Sequence, residues 1–415
     1  MIYWAPLLHF YQPPNQLPDV LDRICDECYR PLNRIFADLV DVRATINVTG
    51  SLVELLRERR ATDILDGWRR LAERGQVEFT GTAMYHPILP LIPAHEGRRQ
   101  IVLNQRTNRA AFGDAFRPIG FFPPELGFAA SIVPTVLETG HRWLLASGVA
   151  CPTDWPLDFI PTVTSDEGEL AVFYRDDLLS NRVAFADLDA AGFINSLRSL
   201  RGARESVFVV TAMDAETFGH HLRGWEEQFL AQVFHTIAEA KQAREGRAET
   251  DGEAIQVVAL SQLLDLFPQQ PSPTPRASTW SSNGDDLAAG NPYPLWKSPG
   301  NRVHQLQWEL TGLVLDLAQR AEAFSDDDTS RYFARIARVQ MDRALYSCQY
   351  WWASRRPMWE VNLVHRGLMA QQEALLNATR SIRSSHAPDS ARADATYRFI
   401  AARDVAARIL DELVA

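Results

Sequence analysis

The sequence has no apolar run long enough to cross a bilayer, few cysteines and no surplus of basic charge. Its 415 residues hold four cysteines, and 42 Lys and Arg stand against 52 Asp and Glu, a formal net charge of −10. The missing run excludes a membrane-spanning helix. The acidic balance removes any electrostatic pull toward nucleic acid or anionic lipid. It suits a neutral substrate, which charge does not steer. Cys25 and Cys28 form the one C-x-x-C. Lacking a partner pair or a strand-to-helix setting, they read as ordinary thiols. Met1 to Pro6 lacks the basic stretch of a secretory leader and reads as a first strand, so a cytoplasmic location is expected.

Motif absences narrow the chemistry further. No G-x-G-x-x-G follows the first strand and no phosphate-binding P-loop occurs, which argues against a nucleotide enzyme. No G-x-S-x-G is present to carry a serine triad. A helix-borne H-E-x-x-H is missing, His220 and His221 are adjacent and so point differently, and His9-Phe10-Tyr11 lacks the Asp of a His-x-Asp zinc site. No metal is expected.

What is present is alternation. Short apolar runs at 2–8, 43–48, 76–80, 119–122, 143–146, 171–174, 206–212 and 255–259 alternate with amphipathic stretches such as 19–39 and 95–115. Ser51 to Glu54 reads as a capping box. The alternation predicts βαβ units around a parallel sheet. A Pro-rich segment with Pro268, Pro271, Pro273 and Pro275 reads as a linker or wall loop. An aromatic loop at 278–300 follows. From 301 onward helices are expected at 301–323, 328–352, 358–382 and 389–413, with Pro357 near a helix start.

Polar residues gather at the strand ends: His9, Glu78, Thr80, Glu125, Asp214 and Glu216. In a parallel α/β barrel these ends share the face that carries the active site. The strongest segment runs from the strand Val207–Thr211 into Asp214-Ala-Glu216-Thr-Phe218-Gly-His220-His221. Acids at a strand end do proton-transfer work when the site tunes them; the plain alternative is a solvated loop with a capping Asp. In Gly120-Phe-Phe-Pro-Pro-Glu125 a carboxylate sits in a rigid apolar frame, costly for a charge without a task; it could equally start a helix. Glu78, which leads toward His86, either grips sugar hydroxyls from a barrel mouth or pairs with an outer arginine. His9 belongs to the site or to the core. Trp280 and Trp296, with nearby amides and His304, form a sugar-stacking platform or pack between elements.

Taken together these segments resemble glycoside hydrolase family 57. His9, Gln12 and Pro13 resemble its first motif, Gln76-Val-Glu78 with Thr80-Gly81 its second, and Phe122-Pro-Pro-Glu125-Leu its third. Asp214-Ala-Glu216-Thr-Phe218-Gly219 resembles the fourth, and Trp296-Lys297 with Asn301 and His304 the fifth. The resemblance implies a distorted, TIM-like (β/α)7 barrel over 1–275 and an α-helical C-terminal domain over 276–415 that contributes to the active site. It implies retaining chemistry on an α-glucan or maltooligosaccharide, with no cofactor. Glu125 would be the nucleophile and Asp214 the general acid/base. His9, Tyr11, Gln12, Glu78, His86, Glu216, Phe218, His220, Trp280, Trp296 and His304 would bind substrate. Tyr11 departs from the family, which has a second histidine there; that position bears on specificity.

Overall fold

The strands are β1 (Ile2–Phe10), β2 (Ala44–Val48), β3 (Val77–Thr80), β4 (Gly120–Phe121), β5 (Trp143–Ser147), β6 (Ile160–Ser165), β7 (Gly168–Arg175), β8 (Val207–Asp214), β9 (Ile255–Val257) and β10 (Gln269–Pro271). They come from a computed structural model that describes residues 1–243 and 254–414. β1 is buried because both its edges are occupied. β8 runs parallel to it from Ile2↔Val207 to His9↔Asp214. On the other edge β9 covers Ile2–Trp4 and β2 covers Leu7–Phe10. Pro6, which has no N–H to donate, sits at that changeover.

Parallel pairing continues from β2 to β3, from β4 to β5, from β5 to β7, and from β7 to β8. The ring closes where Gly81, just past β3, bridges Phe121: Gly81 N donates to Gly120 O at 2.7 Å and Phe122 N donates to Gly81 O at 2.9 Å. β1, β2, β3, β4, β5, β7 and β8 thus form a distorted (β/α)7 barrel. Its distortion is concentrated at the β7–β8 seam, where pairing is confined to Arg175↔Val210.

Two apolar clusters show which way each side chain points. Trp4, Leu8, Phe10, Ile46, Val48, Val77, Phe79, Val209 and Met213 pack with residues of the surrounding helices, such as Leu32, Leu52, Trp68, Phe112 and Phe193. Ala5, Leu7, Phe122, Trp143, Leu145, Phe173, Phe208, Val210 and Ala212 pack inside the barrel. A strand alternates faces with period two. His9 therefore follows Ala5 and Leu7 inward, Arg175 follows Ala171 and Phe173, and Asp214 follows Val210 and Ala212.

Two strands were not expected. β6 pairs antiparallel with the start of β7, and β10 adds to β6. Both lie outside the ring and carry a proline, Pro161 and Pro271, which weakens the strand signal. The cap expected at Ser51 is instead Thr49, whose hydroxyl accepts from Leu52 N; the helix is Gly50–Glu58.

Contacts divide the chain into two compact units, Met1–Met84 with Leu89–Trp280, and Tyr85–Ile88 with Ser281–Ala415. The second unit is a helical bundle of Arg302–Phe324, Asp328–Arg343, Val361–Ser384 and Asp389–Val414. The expected helix 328–352 stops at Arg343. The chain turns there because Gln349 Nε2 bonds the carbonyls of Ala344 and Tyr346 at 2.5 and 3.2 Å, while Ser347 N donates to His86 O. The helix after Pro357 begins at Val361, capped by Glu360.

Candidate active site

The inward residues that end the seven ring strands form one ring at the barrel mouth: His9, Asn47, Thr80, Phe122, Ser147, Arg175 and Asp214. His9 is its hub. Its Nδ1 bonds Asn47 Oδ1 at 2.7 Å, and Asn47 Nδ2 donates to Thr80 Oγ1 at 2.7 Å. Asn47 must therefore accept from His9, which places the imidazole proton on Nδ1. The ring stacks on Phe122 at 4.6 Å and on Tyr11 at 5.9 Å. Burial lowers the His9 pKa, opposed by the Asp214 charge and the Asn47 bond.

Glu125 lies in a short turn, Pro124–Leu126, with φ 58° and ψ 20°; Leu126 follows at φ 48°. Two consecutive non-glycine residues in the left-handed region cost about 1–3 kcal/mol each and persist only where the surroundings impose them. Trp280 imposes this one. Its backbone N donates to Glu125 O at 3.1 Å and its indole Nε1 donates to Glu125 Oε2 at 3.0 Å. The same indole lies edge-on to His9 and to Phe122, each at 5.9 Å. The Glu125 carboxylate is thus tied to the ring whose sheet neighbour is Asp214. Trp280, expected as a sugar platform, is a tether for Glu125.

Beyond Asp214 the chain turns sharply, and Glu216 is buried against Tyr29 of the helical layer. Its Oε1 accepts from Gln12 Nε2 at 2.8 Å and from the Tyr29 hydroxyl. Burial first, and then the Asp214 charge, push the Glu216 carboxyl up to about 8. At neutral pH it is largely a neutral acid. Cys28 and Tyr29 come from a π-helical turn, Cys25–Tyr29, inserted in the helix after β1. Cys28 Sγ donates to Ala215 O at 3.1 Å.

Several expected binders are placed elsewhere. Phe218 is a core residue, stacked on Phe229 at 6.4 Å. His220 turns away to Glu27, with 2.6 Å between Nδ1 and Oε2. Its neighbour His221 lies under the Asp214 charge, its pKa lowered chiefly by burial and raised in part by that charge. Glu78 lies two residues below Thr80, one layer down the barrel. Its Oε1 accepts from Thr45 Oγ1 at 2.7 Å and from Ser261 N at 3.0 Å, so its partner is the barrel floor and no arginine. Burial raises its pKa.

Three more belong to the second unit. His86 is buried with Nδ1 3.0 Å from Ser347 Oγ. Trp296 is buried, its carbonyl accepting from Trp308 Nε1 at 2.8 Å. His304 spends both ring nitrogens on its own fold, Nε2 on Tyr350 O at 2.9 Å and Nδ1 on Ser298 N at 3.1 Å. Asn47, Arg175, His221 and Tyr29 were missed. Period-two counting back from the strand ends marks the first two; no local signal marks Tyr29, which reaches Glu216 across 187 residues.

The family model described as Glycosyl hydrolase family 57 matches residues 8–270. An α-amylase of Pyrococcus abyssi is 26% identical over 272 residues, 63% of this chain and 38% of its own length. A 4-α-glucanotransferase of Thermococcus litoralis is 26% identical over 268 residues, with the same two coverages. The chain thus spans little more than a third of the length of these curated relatives. Among solved structures, a branching enzyme of Pyrococcus horikoshii matches with TM-score 0.71 at 15% identity, covering 97% of this chain and 95% of that one. The 4-α-glucanotransferase structure from Thermococcus litoralis matches at TM-score 0.67 and 18% identity, covering 92% and 60%. These structural matches speak for the fold.

Proposed function

The chain belongs to glycosyl hydrolase family 57, and from that premise we propose that it cleaves or transfers α-glucosidic bonds of starch- or glycogen-like glucans by double displacement. Glu125 is the nucleophile. Its carboxylate attacks the anomeric carbon, and a glycosyl ester forms as the glycosidic C–O bond breaks. Asp214 gives its proton to the departing oxygen. It then takes a proton from water or from a sugar hydroxyl, whose oxygen attacks the anomeric carbon and frees Glu125. Two inversions return the starting configuration.

The observation that carries this reading is the strained Glu125 turn. A carboxylate is held in a left-handed backbone by an indole N–H, in line with a histidine whose strand neighbour is a second acid. Neutral Glu216 anchors the turn after Asp214 to Gln12 and Tyr29. Tyr11, half-buried and parallel to His9 at 5.9 Å, offers substrate an aromatic face where the family has a histidine. The relatives named amylase, glucanotransferase and branching enzyme differ in the acceptor of the same ester.

The test is incubation with maltooligosaccharides, amylose and pullulan, with chromatography of the products. Free glucose or short maltooligosaccharides mean hydrolysis, a disproportionation ladder means transfer, and new branch points mean branching. D214N should lose about 10²–10⁴-fold in turnover. E125A should be silent yet regain turnover with azide, giving a glycosyl azide of inverted configuration. Unchanged turnover in E125A would remove Glu125 from the reaction.

A further inference from the structure

The seam between β7 and β8 is the weak joint of the barrel, and β8 is the strand that ends in Asp214. Past Arg175↔Val210 and the bond from Asp176 N to Val210 O, β7 has ended. β8 runs on for four residues to Asp214 with its β7-facing edge exposed to the helix Asp177–Ala184. An unpaired buried strand edge costs as much as lost hydrogen bonds. Two side chains take the place of the absent strand. Ser180 Oγ accepts from Ala212 N at 3.2 Å, and Arg175 Nε donates to Ala212 O at 2.7 Å.

The Arg175 guanidinium does more than fill a gap. It is 4% exposed, and its two remaining nitrogens are committed: Nη1 donates to Asp177 Oδ1 at 2.7 Å and Nη2 to Asn181 Oδ1 at 2.8 Å. Asp177 is itself fixed by Ser147 Oγ at 2.8 Å and Val149 N at 3.0 Å. The plane so fixed lies over the Trp280 ring, 5.9 Å from its centroid. Trp280 is the residue that bonds Glu125 through both its backbone and indole N–H. One planar cation therefore touches the strand that ends in Asp214 and the indole that holds Glu125.

We propose that Arg175 is a positioning residue for both carboxylates, setting the height of Asp214 through Ala212 O and the orientation of Glu125 through Trp280. This rests on the reaction assigned above, in which the two acids must meet one anomeric carbon. Lysine cannot replace it: one ammonium on a flexible stem cannot reach Ala212 O, Asp177 and Asn181 together from its place over the Trp280 ring.

The test compares wild type, R175K and R175A on maltoheptaose. R175A should lose about 100-fold in kcat with KM changed less than about threefold, because misplaced reacting groups slow the chemical step more than they weaken binding. R175K, which keeps the charge and most of the stem, should lose nearly as much. Methylguanidinium added to R175A should restore at least about tenfold, filling the vacated fork. A purely structural role would lower the melting temperature without this split or this rescue. A crystal structure of R175A, or of R175K if R175A does not fold, gives a readout independent of turnover: the Trp280–Glu125 bond should be broken and Asp214 displaced. Both acids unmoved, or full kcat in R175K, would overturn the proposal. An inactive wild type with displaced acids in the variant would refute the reaction and keep the positioning role; an active wild type with an unaltered variant would do the reverse.

Discussion

Glu216 carries a pH signature of its own. Its folded value of about 8 lies above the ordinary carboxyl range, so the folded chain holds a proton there that the unfolded chain releases near pH 4.5. Its contribution to stability is full below that pH and is lost as pH rises toward 8. E216Q keeps the acceptor for Tyr29 and Gln12 and cannot ionise. The stability of wild type relative to E216Q should therefore fall between pH 5 and 8, by an amount on the order of a few kcal/mol. Paired urea titrations across that range check it; a constant difference would mean that Glu216 is ionised in the fold. At this scale the sequence marked Asp214 and Glu216 as acids at a strand end and did not tell the two histidines apart. His220 and His221 are chemically the same and adjacent. Only the turn, with Gly219 at φ 105° and no room for a Cβ against Glu27 O, sends His220 to Glu27 and leaves the more exposed His221 under the Asp214 charge.

At the scale of elements, the barrel closes through a glycine. A Cβ on Gly81 would lie 2.1 Å from His141 Nε2 and within 3.0 Å of two more ring atoms. Gly81→Ala should therefore destabilise the chain by about 1–3 kcal/mol, the usual cost of overpacking. Combining it with His141→Ala should recover part of that loss, because the two sites share one space. Chemical denaturation of the single and double variants checks this; strictly additive losses would place the strain elsewhere. All eight strands expected from apolar runs exist; the seven ring strands are largely buried on both faces, which leaves a composition signal that needs no partner, whereas β9 is partly exposed. β6 and β10 left none. Each is short or carries a proline, and each is held by a partner strand outside the ring pattern, β6 by β7 and β10 by β6. The helix break at Arg343 was equally illegible, since it follows from Gln349 and His86 reaching back to the turn.

At the scale of the whole molecule, the net charge of −10 has a consequence for kinetics. A neutral glucan gains nothing from long-range steering, so kcat/KM on maltoheptaose should change less than about twofold when ionic strength is raised from low to about 0.5 M. A steep salt dependence would point to a charged substrate. None of the helices among the described residues is long and apolar enough to cross a membrane. The sequence by itself determined the parallel α/β plan, the helical C-terminal stretch and the two acids at strand ends, because burial and period-two alternation are written locally in residue type. Only the tertiary structure decided which neighbours those acids keep. Trp280 reaches Glu125 across 155 residues, Gln12 reaches Glu216 across 204, and Arg175 meets Ala212 across 37. Such pairings arise when a ring of strands closes, and closure is a property of the whole sheet that no single segment encodes.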